Sequence, residues 1–453
     1  MPVKIFASGL LVVAAIVFGV TTGSGSAAPA AHRALGAVPH HGSAHRVTAA
    51  RRAAGFSCGA ACSSYETAIN TYFTNVAADS ALTTNVYGVA TQYCQGVATA
   101  PPTASCGASG TPVSYSSTFG GSYVDGRPFP SSLCNDAHTI KHIQYVDKYC
   151  LTDAQLQSEI TKAIAANSWP TDSSKIFFVF TPAKVGVCQF PGIASKHNAC
   201  STTVFCAYHS ATPSKIIYAV MPDAAQIPDG GCDSGSKPVG SGADATLSTA
   251  SHEHNEAITD PYGDGWYAAD FNENGDLCAY NFGTPLGTTL SGQNYNQVIN
   301  GTDYWLQQEY SNADGGCLQQ PGGTVSPIIP HSGAGPLLYN GGSVMTTNTV
   351  YAIYWVPVAP ANTVLPKITG TTRVGKKLTA VRGTWSNLPA SYAYQWLRCS
   401  STGTSCKSIT LATGSGHILV KADAGHELEV QVTATNMAGT TSVTSAPTTP
   451  VKR

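Results

Sequence analysis

Charge is scarce in this sequence. Acidic and basic residues together make up 11% of 453 positions, and the formal net charge is -1. No basic surplus exists to neutralise a phosphate backbone or an anionic bilayer, which excludes nucleic acid and charged membrane surfaces as main partners. Long apolar runs are absent beyond the first twenty residues, so no membrane span is expected in the mature chain. A thiolate zinc knuckle is excluded too. Cys58 and Cys62 have the spacing of half of one, but no matching Cys or His pair follows at a suitable distance.

What is present points outward from the cell. A basic start at Lys4, an apolar run from Ile5 to Val20 and the small residues Ser26-Ala27-Ala28 read as a secretory signal peptide, residues 1–28. Residues 29–57, rich in Ala, His and Arg, lack any apolar period and read as a flexible leader. The chain carries 14 cysteines, all downstream of residue 28. In an exported protein an even count reads as disulfides, with Cys94–Cys106, Cys278–Cys317 and Cys399–Cys406 as natural short-range pairs. The length suggests two domains with linkers, and 45 Gly with 27 Pro suggests many turns.

Hydrophobic periodicity then gives an order of elements. Ser63-Ser64-Tyr65-Glu66 is a capping box ahead of Ile69, Phe73 and Val76, which predicts a helix over 64–77. "TTNVYGVATQYC" and "PVSYSSTF" alternate and suit strands. Thr152-Asp153-Ala154-Gln155 caps a second helix that ends before Trp169-Pro170. "KIFFVFTP" is apolar throughout, as a strand buried on both faces requires, and "TVFCAYHS" and "KIIYAVMP" supply two more. Sheet and helix alternate, so residues 58–320 are expected to form an α/β or α+β domain with a mixed sheet.

Catalytic-type side chains crowd one segment, Ser251-His252-Glu253-His254-Asn255-Glu256-Ala257-Ile258-Thr259-Asp260-Pro261. Leu247, Ala250, Ala257 and Ile258 give it an apolar side, and Pro261 stops it. Residues four apart on a helix lie one above the other, so His252 and Glu256 present an imidazole and a carboxylate to one point. Glu253 follows the first ligand, where an HExxH zinc peptidase keeps its general base, although the spelling here is HExxE. A third ligand must come from further on. The acidic cluster Asp270, Glu273 and Asp276 is the nearest supply, with Asp276 first, Glu273 second and Asp260 third. The twenty positions between Glu256 and Asp276 are similar to the separation of the second and third ligands in thermolysin-like zinc peptidases.

"SHEHNEAITDP", followed by "GWY", "ENGDLCA", "NQVING" and "YWLQQEYSN", resembles a family of secreted bacterial zincin-like proteins. More distantly it resembles the plant exordium, or phosphate-induced, secreted proteins, whose similar segment reads HELAE followed by Asp-Leu-Cys. The resemblance spans most of residues 58–320. His252, Glu253, Glu256, Glu273 and Asp276 match the shared pattern, whereas His254 belongs to the bacterial version only. It implies a zincin-like domain with zinc as cofactor. His209, at the end of a strand, and Tyr262 and Tyr267, just past the helix beside Trp266, are candidates for the substrate cleft.

Residues 321–343 are Pro- and Gly-rich and read as a linker. The segment 344–362 holds a strong strand, Val350 to Val356, and resembles the opening strand of the bacterial catalytic domain, which is missing ahead of Ser63. It is therefore expected to return to the first domain's sheet, as in a circular permutation. Residues 363–453 are short alternating strands at regular spacing and resemble a bacterial Ig-like β-sandwich, with Trp396 buried and Asp423 at a corner. The resulting expectation is a secreted zinc metallopeptidase acting on extracellular peptides or proteins, or on a cell-wall polymer. A non-catalytic adhesion or carbohydrate-binding protein on the same scaffold is the alternative.

Overall fold

The computed structural model describes residues 64–453, apart from 97–105, 107–109, 131–133, 135–136, 141–142, 147–148, 184, 190–199, 202–204, 225–231, 329–334 and 437–438. The expected signal peptide, the leader, Ser63 and the Cys58/Cys62 pair lie outside these residues. Eight elements build the first domain's framework: α1 (Ser64–Ala78), β1 (Ser117–Asp125), α2 (Asp153–Asn167), β2 (Lys175–Phe180), β3 (Tyr208–Ala211), β4 (Ile217–Met221), α3 (Asp244–Thr259) and β5 (Asn348–Trp355).

The strands form one sheet in the order β1-β5-β2-β4-β3. β1, β5, β2 and β4 run parallel to one another, and β3 closes the edge antiparallel to β4. Successive strand residues point to opposite faces. Ile176, Phe178, Ala219, Met221, Val350 and Ala352 therefore pack with α1 and α3 on one side, while Phe177, Val179, Tyr218, Val220, Tyr351 and Ile353 pack with α2 on the other. Burial on both faces explains why β2 and β4 read as unbroken apolar runs. The chain is thus a mixed α/β domain with several small extra sheets, followed by a largely antiparallel C-terminal region. There the sheets holding Lys377–Val381 and Ser391–Arg398 share a core of Leu378, Trp396, Leu428 and Val430.

β5 lies between β1 and β2. Asn348 fixes its start: the side-chain oxygen accepts from Ser117 at 2.8 Å and lies 2.9 Å from His254 Nε2 on α3. His254 is fully buried, its Nδ1 is 3.1 Å from Tyr87 Oη, and burial holds its pKa down to about 4. His254 is therefore a neutral core bond between helix and sheet.

Two strand expectations need correction. Val86–Gln92 is a 3₁₀ helix, because Asn85 accepts from Tyr87 N–H at 3.0 Å and caps it, overriding the β-branched alternation. In "PVSYSSTF" Pro112 belongs to a short strand, Thr111–Pro112, that pairs with Cys94–Gln95, and the strand of the main sheet begins at Ser117. Residues 321–343 also carry structure of their own, since Leu338–Tyr339 pairs with Trp266–Tyr267. Six disulfides join described cysteines: Cys94–Cys106, Cys134–Cys150, Cys188–Cys200, Cys206–Cys232, Cys278–Cys317 and Cys399–Cys406.

Two predictions follow from this framework. A chain ended after residue 346 loses β5 and is expected to unfold without a cooperative transition. One ended after residue 361 should still melt cooperatively by circular dichroism. The second concerns Glu159 on α2, buried against Asp125 and Arg127. Burial, then the hydrogen bond to Asp125, pushes its pKa from 4.5 up to about 8. The folded chain thus keeps a proton that the unfolded chain has lost, so stability falls as pH rises through that window. Glu159→Gln should flatten the decline in melting temperature between about pH 5 and pH 8; an unchanged slope would refute this.

Candidate metal centre

α3 carries its polar residues inward. Every residue from Ser251 to Asp260 is buried, including His252, Glu253, Asn255 and Glu256. The helical rise places His252 Nε2 3.0 Å from Glu256 Oε1. Asp276 Oδ1 lies 3.6 Å from the same ring nitrogen. The loop that brings Asp276 is shaped by its own bonds. Glu273 N–H donates to Asp276 Oδ2 at 3.1 Å, Asp276 N–H donates to Glu256 Oε1 at 3.0 Å, and the Cys278–Cys317 bridge pins the following turn.

His209 approaches from edge strand β3. Its Nδ1 is 3.3 Å from Glu253 Oε2 and 3.6 Å from Glu256 Oε2, and its Nε2 is 3.0 Å from the Asp260 carbonyl oxygen and 3.7 Å from Glu273 Oε1. Two triads therefore share one carboxylate, His252–Glu256–Asp276 and His209–Glu253–Glu256, each with its three ligand atoms within 4.8 Å of one another.

Glu253, Glu256, Asp260, Glu273, Asp276 and Glu309 are all at most 4% exposed. Even two imidazolium rings leave such a group strongly anionic, and buried unbalanced charge is costly. Burial drives the pKa of Asp276 up to about 8 and raises those of Glu253, Glu273 and Glu309. Glu256 goes the other way. Burial opposes its charge, but His252 and His209 outweigh this and hold it at about 2. Glu256 Oε2, Glu273 Oε1, Asp260 Oδ2 and both Glu309 oxygens have no hydrogen-bond partner. Ligands on a tetrahedral zinc ion stand about 3.3 Å apart, from bonds of about 2.0–2.1 Å. The 3.0 and 3.6 Å edges of the His252 triad fit that shape. Nitrogen and carboxylate donors together suit a divalent metal ion, so the residues present could hold one.

The expected residues divide as follows. His252, Glu256 and Asp276 come together, and Glu253 stands beside them facing His209. Glu273 meets the far nitrogen of His209 instead of joining the His252 triad. Asp260 turns Oδ1 to the backbone N–H groups of Asp264 and Gly265, both at 2.7 Å. Tyr262 lies under Lys215, Tyr267 stacks on Phe271, and Trp266 is core, donating to the Cys94 carbonyl. Sequence reasoning passed over Gln307 and Glu309. Gln307 Nε2 donates to the Gly275 carbonyl at 2.7 Å and lies 2.9 Å from His252 Nδ1, while its oxygen accepts from Tyr280 N–H. The one available signal was their place in "YWLQQEYSN". A small cavity lined by Cys206, Cys232, Thr249, Tyr280 and Phe282 also borders His252 and Glu253.

Compared with known proteins, the chain matches no family model and no curated sequence. Within the chain, Gly275 is the tightest constraint on the centre. Its φ of -71° suits any residue, but an added Cβ would stand 2.7 Å from His252 Nδ1 and 2.9 Å from Glu256 Oε1. Gly275→Ala should therefore cost about 1–3 kcal/mol by overpacking and weaken zinc binding. Denaturant titration and zinc competition with a chromophoric chelator check this, and a fully stable variant would contradict the packing.

Proposed function

We propose that the chain is a secreted zinc-dependent hydrolase of the zincin kind, most plausibly a peptidase. One observation carries this reading: His252 and Glu256 on one helix, with Asp276 from a disulfide-pinned loop, stand at tetrahedral edge distances beside Glu253. The antiparallel edge strand next to that helix supports it, as does the likeness of the helix and the following segments to secreted zincin-like proteins. Six disulfides suit an oxidising compartment. No helix among the described residues is long and apolar enough to cross a membrane. The C-terminal region would be an Ig-like module that spaces or docks the enzyme at an extracellular or wall-bound substrate.

In this reading His252, Glu256 and Asp276 hold the ion. A bound zinc ion supplies an acidified water and a Lewis acid for the scissile carbonyl. Glu253, beside the triad, would be the base for that water. Its Oε2 is tethered to His209, whose ring is fixed by the Asp260 carbonyl, so the other oxygen is left for the exchange. Burial raises the Glu253 pKa, which favours a carboxylate able to accept a proton and pass it on.

The test pairs zinc analysis of the purified protein with cleavage of a peptide library read by mass spectrometry. Glu253→Gln should keep zinc at the His252 triad and lose about 10²–10⁴-fold in turnover, whereas His252→Ala should empty that triad. Absence of stoichiometric zinc would reject the reading in favour of a binding protein on this scaffold, and undiminished cleavage by Glu253→Gln would remove the general base.

A further inference from the structure

The second triad is shaped for an ion as well. We propose that His209, Glu253 and Glu256 form a second divalent-cation position, so that Glu256 bridges two ions through its two oxygens. This rests on the metal-centre reading above and extends it to a two-ion hydrolase.

Three observations carry it. First, the 3.3 and 3.6 Å edges from His209 Nδ1 to Glu253 and Glu256 fit the same tetrahedral ruler as the His252 triad. Second, the ring is turned the right way. A backbone carbonyl only accepts, so His209 Nε2, 3.0 Å from Asp260 O, carries a proton, and Nδ1 is the nitrogen turned to the two carboxylates. Metal-binding histidines have this arrangement, with the far N–H given to a carbonyl or carboxylate. Glu273 strengthens it from the same side. Third, Glu256 Oε2 is fully buried, aims at this position and has no hydrogen-bond partner. A proton on Nδ1 bonds the nearer Glu253 oxygen and only approaches Glu256 Oε2, at 3.6 Å; a cation would engage both.

The experiment is zinc titration of the full-length mature protein, with bound metal counted by mass spectrometry after removal of free ion. Wild type should bind two zinc ions per chain, His209→Ala one, His252→Ala one, and the double variant none. If His209→Ala does not fold, as judged by circular dichroism, His209→Gln takes its place. One ion in wild type that survives in the His209 variant but not in His252→Ala overturns the second position and leaves the hydrolase reading standing. One ion that survives in His252→Ala but not in the His209 variant overturns the bridged pair. No bound zinc overturns both readings.

Discussion

The Glu256 carboxylate is the constraint around which the domain is arranged. It sits on the buried face of a helix, between two imidazoles that come from different parts of the chain. A charge cannot be held in such a place without counter-groups on every side. The sequence has only 25 acidic residues, and six of them converge here. A chain that spends so little charge elsewhere has concentrated it where the dielectric is lowest and each interaction is strongest.

The scaffold keeps these groups from collapsing onto one another. β3 brings His209 in from the edge of the sheet, where a side chain can face the helix without belonging to the central packing. The 268–278 loop is tied by its own carboxylate bonds and by the Cys278–Cys317 bridge, so Asp276 arrives with little freedom left to lose. On the opposite side of the helix His254 bonds to Tyr87 and Asn348 and fixes the helix's rotation. Adjacent residues of α3 thus do different work: one set holds the helix still, and the other lines the centre.

Much of this was legible in the sequence wherever one period or one motif governed the segment. β2 and β4 are unbroken apolar runs because both faces are covered, and α2 announces itself through the Thr152–Gln155 capping box, which is formed. The His252/Glu256 pair follows from helical geometry alone. Tertiary context decided the rest. Val86–Gln92 has strand-like residues, but one asparagine cap diverts it. Gln307 and Glu309 come from a segment with no period, and only the folded chain shows that they reach the centre. His209 was legible as a cleft candidate; its grip on two carboxylates was not, because strand ends carry no record of which helix they will face.

The position of β5 bears on when the centre can assemble. Ser117 and Asn348 are bonded partners 231 residues apart. While the chain emerges from the ribosome, β1 has no strand to pair with, and the helix has nothing to lock against. Folding therefore waits for nearly the whole domain to arrive, which makes it slow and non-local. The groups of the centre are therefore locked in place only after β5, almost the last part of the domain, has been made.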